Sequence, residues 1–261
     1  MVEYLLILSL VQGITEFLPI SSSAHLMILN LFSEANDQSV SVDLSLHIGS
    51  LLALIVYFLQ NPLKSTKIAN FNSDFLSTKE AIYLILFSAL PTMVFAYIFL
   101  NYNTIYIIRE NIYVIVWCNL IFAILLFFGD YFGKKSNERL TKRNLIFLSV
   151  FQSISLIPGV SRSGICITVS RFLGFGRTES SIISTIMSFP ILFASLIFIA
   201  TTIYQKQDIF LTNTIFLAIT LSFITSYLSI KIIIEFIDRI KLYPFVIYRV
   251  CLSLTILYVI S

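Results

Sequence analysis

A carboxylate, an amide, three consecutive serines and a histidine crowd into one short stretch near the start of the chain, Gln12 to Leu26, which reads QGITEFLPISSSAHL. Gln12 and Glu16 are four positions apart, so on a helix they share a face, one turn from each other. Pro19 has no amide hydrogen and biases Leu18 away from helical geometry, which predicts that the first helix stops there. Ser21, Ser22 and Ser23 then offer a cap for a second helix beginning near Ala24, with its unpaired amides pointing into the break. Such a terminus attracts anions. His25, three residues past Ser22, shares the same mouth. A hydroxyl, an imidazole, a carboxylate and free amides in one place suit chemistry on a phosphate. Taken singly, Ser21 and Ser23 read as caps.

A second polar break, Pro158 to Gly164 (PGVSRSG), supplies a fixed positive charge. Arg162 keeps its proton and presents a planar fork that matches phosphate oxygens. Gly159 and Gly164 let the backbone turn tightly and approach a ligand closely. The plainer alternative is an arginine paired structurally with Glu16, although burying such a pair is costly. The two breaks form a weak internal repeat. Gln12 precedes Ser21-Ser22-Ser23-Ala24 by the same distance as Gln152 precedes Ser161-Arg162-Ser163-Gly164, with Pro19 and Pro158 in between. If the tips meet, Glu16, Ser22, His25 and Arg162 surround one small polar cavity. Ser21, Ser23, Ser161 and Ser163 then stand ready to bind phosphate.

The elements that must position these groups are built for lipid. Of 261 residues, 57% are hydrophobic and 12% charged, and the mean hydropathy is +0.92. That describes a polytopic helical membrane protein, one integral membrane domain over residues 1–261 with no stretch left for a soluble one. An ionisable residue at bilayer depth is costly, so Glu16 marks function by default. Glu3 stands where a signal peptide would carry basic residues. Cys118, Cys166 and Cys251 have neither disulfide nor zinc spacing and read as packing residues. The net charge of +3 says little by itself, and nucleic acid is not an expected partner.

Helix lengths and loop charges together set a topology. The first break divides residues 1–33 into two helices too short to cross alone, and a second pair, about 144–176, flanks PGVSRSG; each reads as a re-entrant hairpin. Full spans are expected at Val42–Gln60, Ala81–Leu100, Asn111–Phe128, Ser181–Tyr204, Ile209–Ile234 and Tyr243–Ile260. One set of loops holds Lys64, Lys67, Lys79, Lys134, Lys135, Arg139, Lys142, Arg143, Arg171, Arg177, Arg239 and Lys241, whereas the other has Arg109 and Lys206. That bias makes the first set cytoplasmic. The N-terminal hairpin and the C-terminus then face outward, and the second hairpin enters from the cytoplasm. The expected fold is all-α, six transmembrane helices plus two inverted re-entrant hairpins, an inverted-topology repeat of the kind common in transporters.

QGITEFLPISSSAHL and PGVSRSG resemble the two signature segments of the undecaprenyl-diphosphate phosphatase family, also known as the bacitracin-resistance proteins. Further matches are VDLSLHIGSLLA at Val42–Ala53, RTE at Arg177, SFP around Phe189 and YR at Tyr248–Arg249. The resemblance runs through nearly the whole chain. It implies removal of one phosphate from a C55 isoprenyl diphosphate in the bacterial cytoplasmic (inner) membrane, recycling the carrier lipid for peptidoglycan synthesis and conferring bacitracin resistance. It also implies a divalent cation, Mg2+ or Ca2+, at Glu16 and Gln12. By position, Ser22 fills the nucleophile site, His25 the acid/base site and Arg162 the phosphate-binding site. Gln12 is the amide variant of a two-glutamate motif, so the metal or water site has one carboxylate fewer. Cys166 stands where the family pattern has threonine, and Thr168 follows two positions on. His47 replaces a usual glutamine and reads as helix packing, while Asp43 reads equally as a cap or as support for the site. Partners are a polyprenyl diphosphate, membrane lipids and, as the sole protein partner envisaged, further copies in a homo-oligomer.

Three other phosphatase designs fail on residues alone. Cys166 and Arg171 flank no glycine-rich loop, both histidines precede Ser161-Arg162, and no GxxxxGK[ST] is present. A transporter or flippase for a polyprenyl phosphate is the serious rival, since inverted hairpins around a midplane site suit it. Ser22 and His25, a nucleophile and a proton-transfer group, exceed what carriage requires. The sequence leaves water, Ser22 and His25 all open as the attacking group.

Overall fold

A computed structural model of the chain describes residues 2–32, 40–61, 85–102, 108, 111–133, 140–206 and 213–260. Every regular element among these is helical: α1 Val2–Thr15, α2 Ser22–Phe32, α3 Val40–Gln60, α4 Leu90–Asn101, α5 Ile112–Phe132, α6 Lys142–Gln152, a 3-10 turn Ser153–Leu156, α7 Arg162–Phe172, α8 Arg177–Lys206, α9 Asn213–Ile240 and α10 Tyr243–Ile260. The loops that carry Lys64, Lys67, Lys79, Arg109, Lys134, Lys135 and Arg139 lie outside the described residues.

Both polar breaks interrupt a helix where the sequence places them. Helix α1 ends at Thr15 and residues 16–20 turn before α2, because Pro19 removes a donor and crowds the turn before it. The second break follows α6, the 3-10 turn and Pro158. Within the described residues, α5, α8, α9 and α10 contain stretches long and apolar enough to cross a membrane, and Ser45–Gln60 and Ile85–Phe99 are shorter apolar helices. Of the span expected at Ala81–Leu100, residues 81–84 lie outside the described residues, and the remainder is not one uninterrupted helix. The helix is interrupted by a turn at Ser88–Ala89 and restarts at Leu90. Pro91 clashes with the carbonyl four residues back and supplies no amide, and the Ser88 amide and hydroxyl both fall back on the Ile85 carbonyl, at 3.1 and 2.6 Å.

Packing follows small and hydroxylated residues, as expected where lipid offers helices no hydrophobic drive to associate. Helix α9 lies against α1 and α3. A methyl group at Gly13 or Gly49 would strike Thr225 or the backbone of Ser222 and Ile219. Along that seam Ser222 donates to the Leu46 carbonyl at 2.8 Å, Ser50 meets Ser226 at 2.9 Å and Ser229 reaches the Ile14 carbonyl at 3.1 Å. Helix α7, buried over most of its length, is enclosed by α5, α6 and α8, and α5 pairs with α10. At one end Arg177 forks onto Asp130 at 2.6 and 3.1 Å, with Arg171 alongside at 3.5 Å. This network ties the start of α8 to the end of α5.

Candidate functional site

The two breaks share a local geometry. Ser21 and Ser161, each immediately before a helix, both have φ of 70°. That left-handed region is strained for a residue with a side chain and recurs at functional sites. In each break the serine before the helix meets the serine two positions on, Ser21 Oγ to Ser23 Oγ and Ser161 Oγ to Ser163 Oγ, at 3.2 Å in both cases. Ser161 also accepts from the Gly164 amide at 3.1 Å as an N-cap, satisfying one orphan donor of α7.

Ser23 and Ser163 each reach across to the other break. Ser163 Oγ donates to the Leu18 carbonyl at 2.7 Å, and the Gly159 amide donates to Ser23 Oγ at 3.3 Å. Gly159 has φ of +90°, and a Cβ there would collide with the Ile115 carbonyl. Glycine is required on both counts. The tips therefore meet, and Glu16, Ser22 and Arg162 come together.

Glu16 is the hub. Its Oε1 pairs with Arg162 Nη2, its Oε2 accepts from Gln12 Nε2 at 2.7 Å, and Ser22 Oγ donates to the same oxygen at 3.2 Å. The pair is mostly buried, with 12% of the Arg162 side chain and 9% of that of Glu16 exposed. Arg162 is thus paired with Glu16, as the plainer alternative held. Yet one guanidinium nitrogen makes that contact, and the rest of the fork has no acceptor among the described residues. An unspent fork beside a helix N-terminus suits phosphate oxygens.

His25 does not join Ser22. Its Nδ1–H donates to the Ser21 carbonyl at 2.7 Å, and its Nε2 accepts from the Tyr248 hydroxyl at 2.6 Å. The two rings lie parallel, 2° apart in tilt with centroids 5.5 Å apart. The carbonyl fixes the tautomer and the hydroxyl holds the other nitrogen. Ser22, by contrast, donates its hydroxyl to the Glu16 carboxylate.

A metal would find hard oxygen donors here. Gln12 is 1% exposed and its Oε1 is buried without a hydrogen-bond partner, one turn from the Glu16 carboxylate. No group of three or more His, Cys, Asp or Glu side chains that could hold an ion occurs among the described residues. Two oxygen donors fit a magnesium-type ion that takes its remaining ligands from substrate phosphate and water.

Other expected residues fall around this centre. Cys166 is 1% exposed and turns its Sγ toward Gln152 Oε1 at 3.4 Å. Thr168 spends its hydroxyl on the Gly164 carbonyl at 2.7 Å, so neither side chain is turned to the ion pair. His47 on α3 lies within Coulombic range of Glu16. Asp43 falls in the first turns of α3, and its side chain lies outside the described residues.

Sequence reasoning missed three residues as parts of the site. Tyr248 holds His25, while Arg249 and Asn119 sit behind the breaks. The available signal was a charged and an amide side chain inside otherwise apolar spans, which by default marks function.

An all-helical membrane protein with a phosphate-suited site between two interlocked helix breaks is the class defined by these features. Comparison with known proteins gives the family. The model of bacitracin resistance protein BacA matches residues 5–255, and the chain belongs to that family. It is 37% identical over 259 residues to the undecaprenyl-diphosphatase of Pelagibacter ubique (strain HTCC1062), covering 98% of this chain and 96% of the relative. It is 33% identical to the undecaprenyl-diphosphatase of Jannaschia sp. (strain CCS1), covering 97% and 96%. A third relative of the same name, from Alcanivorax borkumensis, is 34% identical over 97% of both chains.

Proposed function

We propose that this chain is an enzyme of the bacterial inner membrane that hydrolyses undecaprenyl diphosphate to undecaprenyl phosphate and inorganic phosphate. In the cell this returns the carrier lipid to cell-wall synthesis and opposes bacitracin. The observation that carries the reading is the Ser22–Glu16–Arg162 arrangement, a hydroxyl hydrogen-bonded to a carboxylate beside an arginine with donors to spare.

Arg162 and the first amides of α2 and α7 hold the diphosphate and stabilise charge on the transferred phosphoryl group. Ser22 Oγ attacks the terminal phosphorus while Glu16 Oε2, which already accepts its hydrogen bond, takes the proton. The bond to the bridging oxygen breaks, and the lipid phosphate leaves with that proton. Water then attacks the phosphoserine and gives a proton to Glu16, the P–Oγ bond breaks, Ser22 Oγ recovers its proton from Glu16, and inorganic phosphate departs. His25, expected to manage the Ser22 proton, is held instead by the Ser21 carbonyl and the Tyr248 hydroxyl, off the Ser22–Glu16 proton path. Ser21, Ser23, Ser161 and Ser163 shape the cradle through their mutual hydrogen bonds. Gln12 Oε1 and Glu16 would hold a divalent cation, which supplies charge neutralisation at the phosphates. The membrane arrangement is two oppositely entering hairpins among six crossings in a single domain, with the first hairpin and the C-terminus outside.

Phosphate release from undecaprenyl diphosphate by purified protein, wild type beside Ser22→Ala, tests this. Wild type should turn over, and Ser22→Ala should bind the lipid but release no phosphate, since it loses the attacking atom and little binding surface. Full hydrolysis by Ser22→Ala removes Ser22 from the mechanism. Binding without release by the wild type itself leaves a lipid carrier.

A further inference from the structure

Arg249 is the largest fully buried side chain described, 0% exposed within α10. No carboxylate among the described residues pairs with it. Its Nε donates to Asn119 Oδ1 at 2.8 Å, Nη1 to the Pro19 carbonyl at 3.4 Å, and Nη2 to the Gly159 and Val160 carbonyls at 2.9 and 3.2 Å. Pro19 belongs to the first break, and Gly159 and Val160 to the second. One guanidinium thus gathers both turns. Asn119 is itself fixed, its Nδ2 donating to the Arg249 carbonyl at 3.1 Å and to Ser253 Oγ at 3.0 Å. The guanidinium also lies directly behind the start of α7, since a Cβ on Gly164 would come to 3.0 Å from Nη1.

A cation removed from water and given dipoles alone is costly to keep, and arginine does not shed its proton to escape the cost. The charges around the breaks do not cancel. Glu16 and Arg162 neutralise each other, the N-termini of α2 and α7 add positive ends, and the charge of Arg249 is left over. Behind a water-poor site that charge is weakly screened. Its grip also has a geometric effect. In a planar trans peptide the amide points opposite to the carbonyl. Drawing the Val160 carbonyl inward therefore turns the Ser161 amide away from Arg249, at the residue that adopts a φ of 70°.

On the phosphatase reading above, we propose that Arg249 is a positioning residue for the diphosphate headgroup. It clamps the Pro19 and Gly159–Val160 turns into one cradle, and the bound phosphates are the counter-ion it lacks. It never touches substrate.

Three variants of the full-length chain, purified in detergent with the same divalent cation, separate clamp from charge. Two quantities are read, the Kd for inorganic pyrophosphate and kcat for phosphate release from undecaprenyl diphosphate. Asn119→Asp places a carboxylate on Nε and cancels the charge; it gives up the Nδ2 bonds to the Arg249 carbonyl and Ser253, while the Arg249 bonds to Pro19, Gly159 and Val160 that form the clamp remain. Its pyrophosphate Kd should rise about tenfold. Arg249→Lys keeps the charge but cannot span both turns, so kcat should fall about tenfold while Kd stays within about threefold. Arg249→Gln should lose both. Wild-type Kd in Asn119→Asp overturns the counter-ion role, and wild-type kcat in Arg249→Lys overturns the clamp. Variants that differ only in yield of monodisperse protein, with unchanged kcat and Kd, reduce Arg249 to a structural strut. A wild type that binds pyrophosphate but releases no phosphate defeats the hydrolase reading, while the Kd comparison still decides the role of Arg249.

Discussion

Replacing Glu16 with glutamine tests its proposed duties as base and ion-pair partner, with the divalent cation that it would also hold kept saturating throughout. The carboxylate receives three groups, Arg162 on Oε1, and Gln12 and Ser22 on Oε2. A glutamine of the same shape keeps one acceptor oxygen, enough for Ser22 and Gln12, but its NH2 cannot accept from Arg162 and its amide cannot take a proton. Loss of a positioned base costs ~10²–10⁴-fold in rate. A fall in kcat of about 10³-fold, close to 4 kcal/mol of transition-state stabilisation, is therefore expected. Binding should move the other way. Arg162 is released from its partner and its whole fork becomes available, so at saturating divalent cation KM for undecaprenyl diphosphate should stay level or fall. Breaking a fully buried pair costs ~3–5 kcal/mol. Arg162 retains some exposure, 12% of its side chain, so the stability loss should be smaller, and thermal unfolding in detergent measures it. Steady-state phosphate release over a range of lipid concentrations supplies kcat and KM separately. If Glu16→Gln keeps kcat within about threefold while KM rises, the carboxylate merely holds Arg162 in place and the base assignment is refuted.

Tyr248→Phe deletes the hydroxyl on His25 Nε2 while leaving the parallel rings, and losing that one bond should reduce kcat by about three- to tenfold; unchanged turnover would separate Tyr248 from the reaction. Gly159→Ala forces a methyl group into the Ile115 carbonyl at φ +90° and should destabilise the protein by ~2–4 kcal/mol, visible as a lower Tm; a wild-type Tm would contradict the close approach. For topology, single cysteines introduced in a background lacking the native ones should label from outside intact cells at Ser261 and not at Lys135, and external labelling of position 135 would overturn the inverted arrangement.

Much of the site was readable in the chain because its causes are local. Pro19 and Pro158 each withhold an amide and crowd the turn before them, Gln12 and Glu16 share a face at a four-residue spacing, and a serine before a helix can cap it. The membrane class follows from composition, and α10 runs over the same Tyr243–Ile260 that its apolar run marks. Pro91 was an equally local signal, for the turn at Ser88–Ala89 inside the span expected at Ala81–Leu100.

What spacing does not determine is which groups face one another across the fold. Nearness in sequence pairs Ser22 with His25, yet Ser22 turns to Glu16, and His25 turns to Tyr248, 223 positions away. Arg249 and Asn119, 130 positions apart, stand out in sequence as polar residues in apolar helices, and nothing nearby names their partners. Periodicity fixes the face of a helix on which a side chain lies. Only the packing of α5 against α10, and of both breaks against Arg249, decides what that face meets.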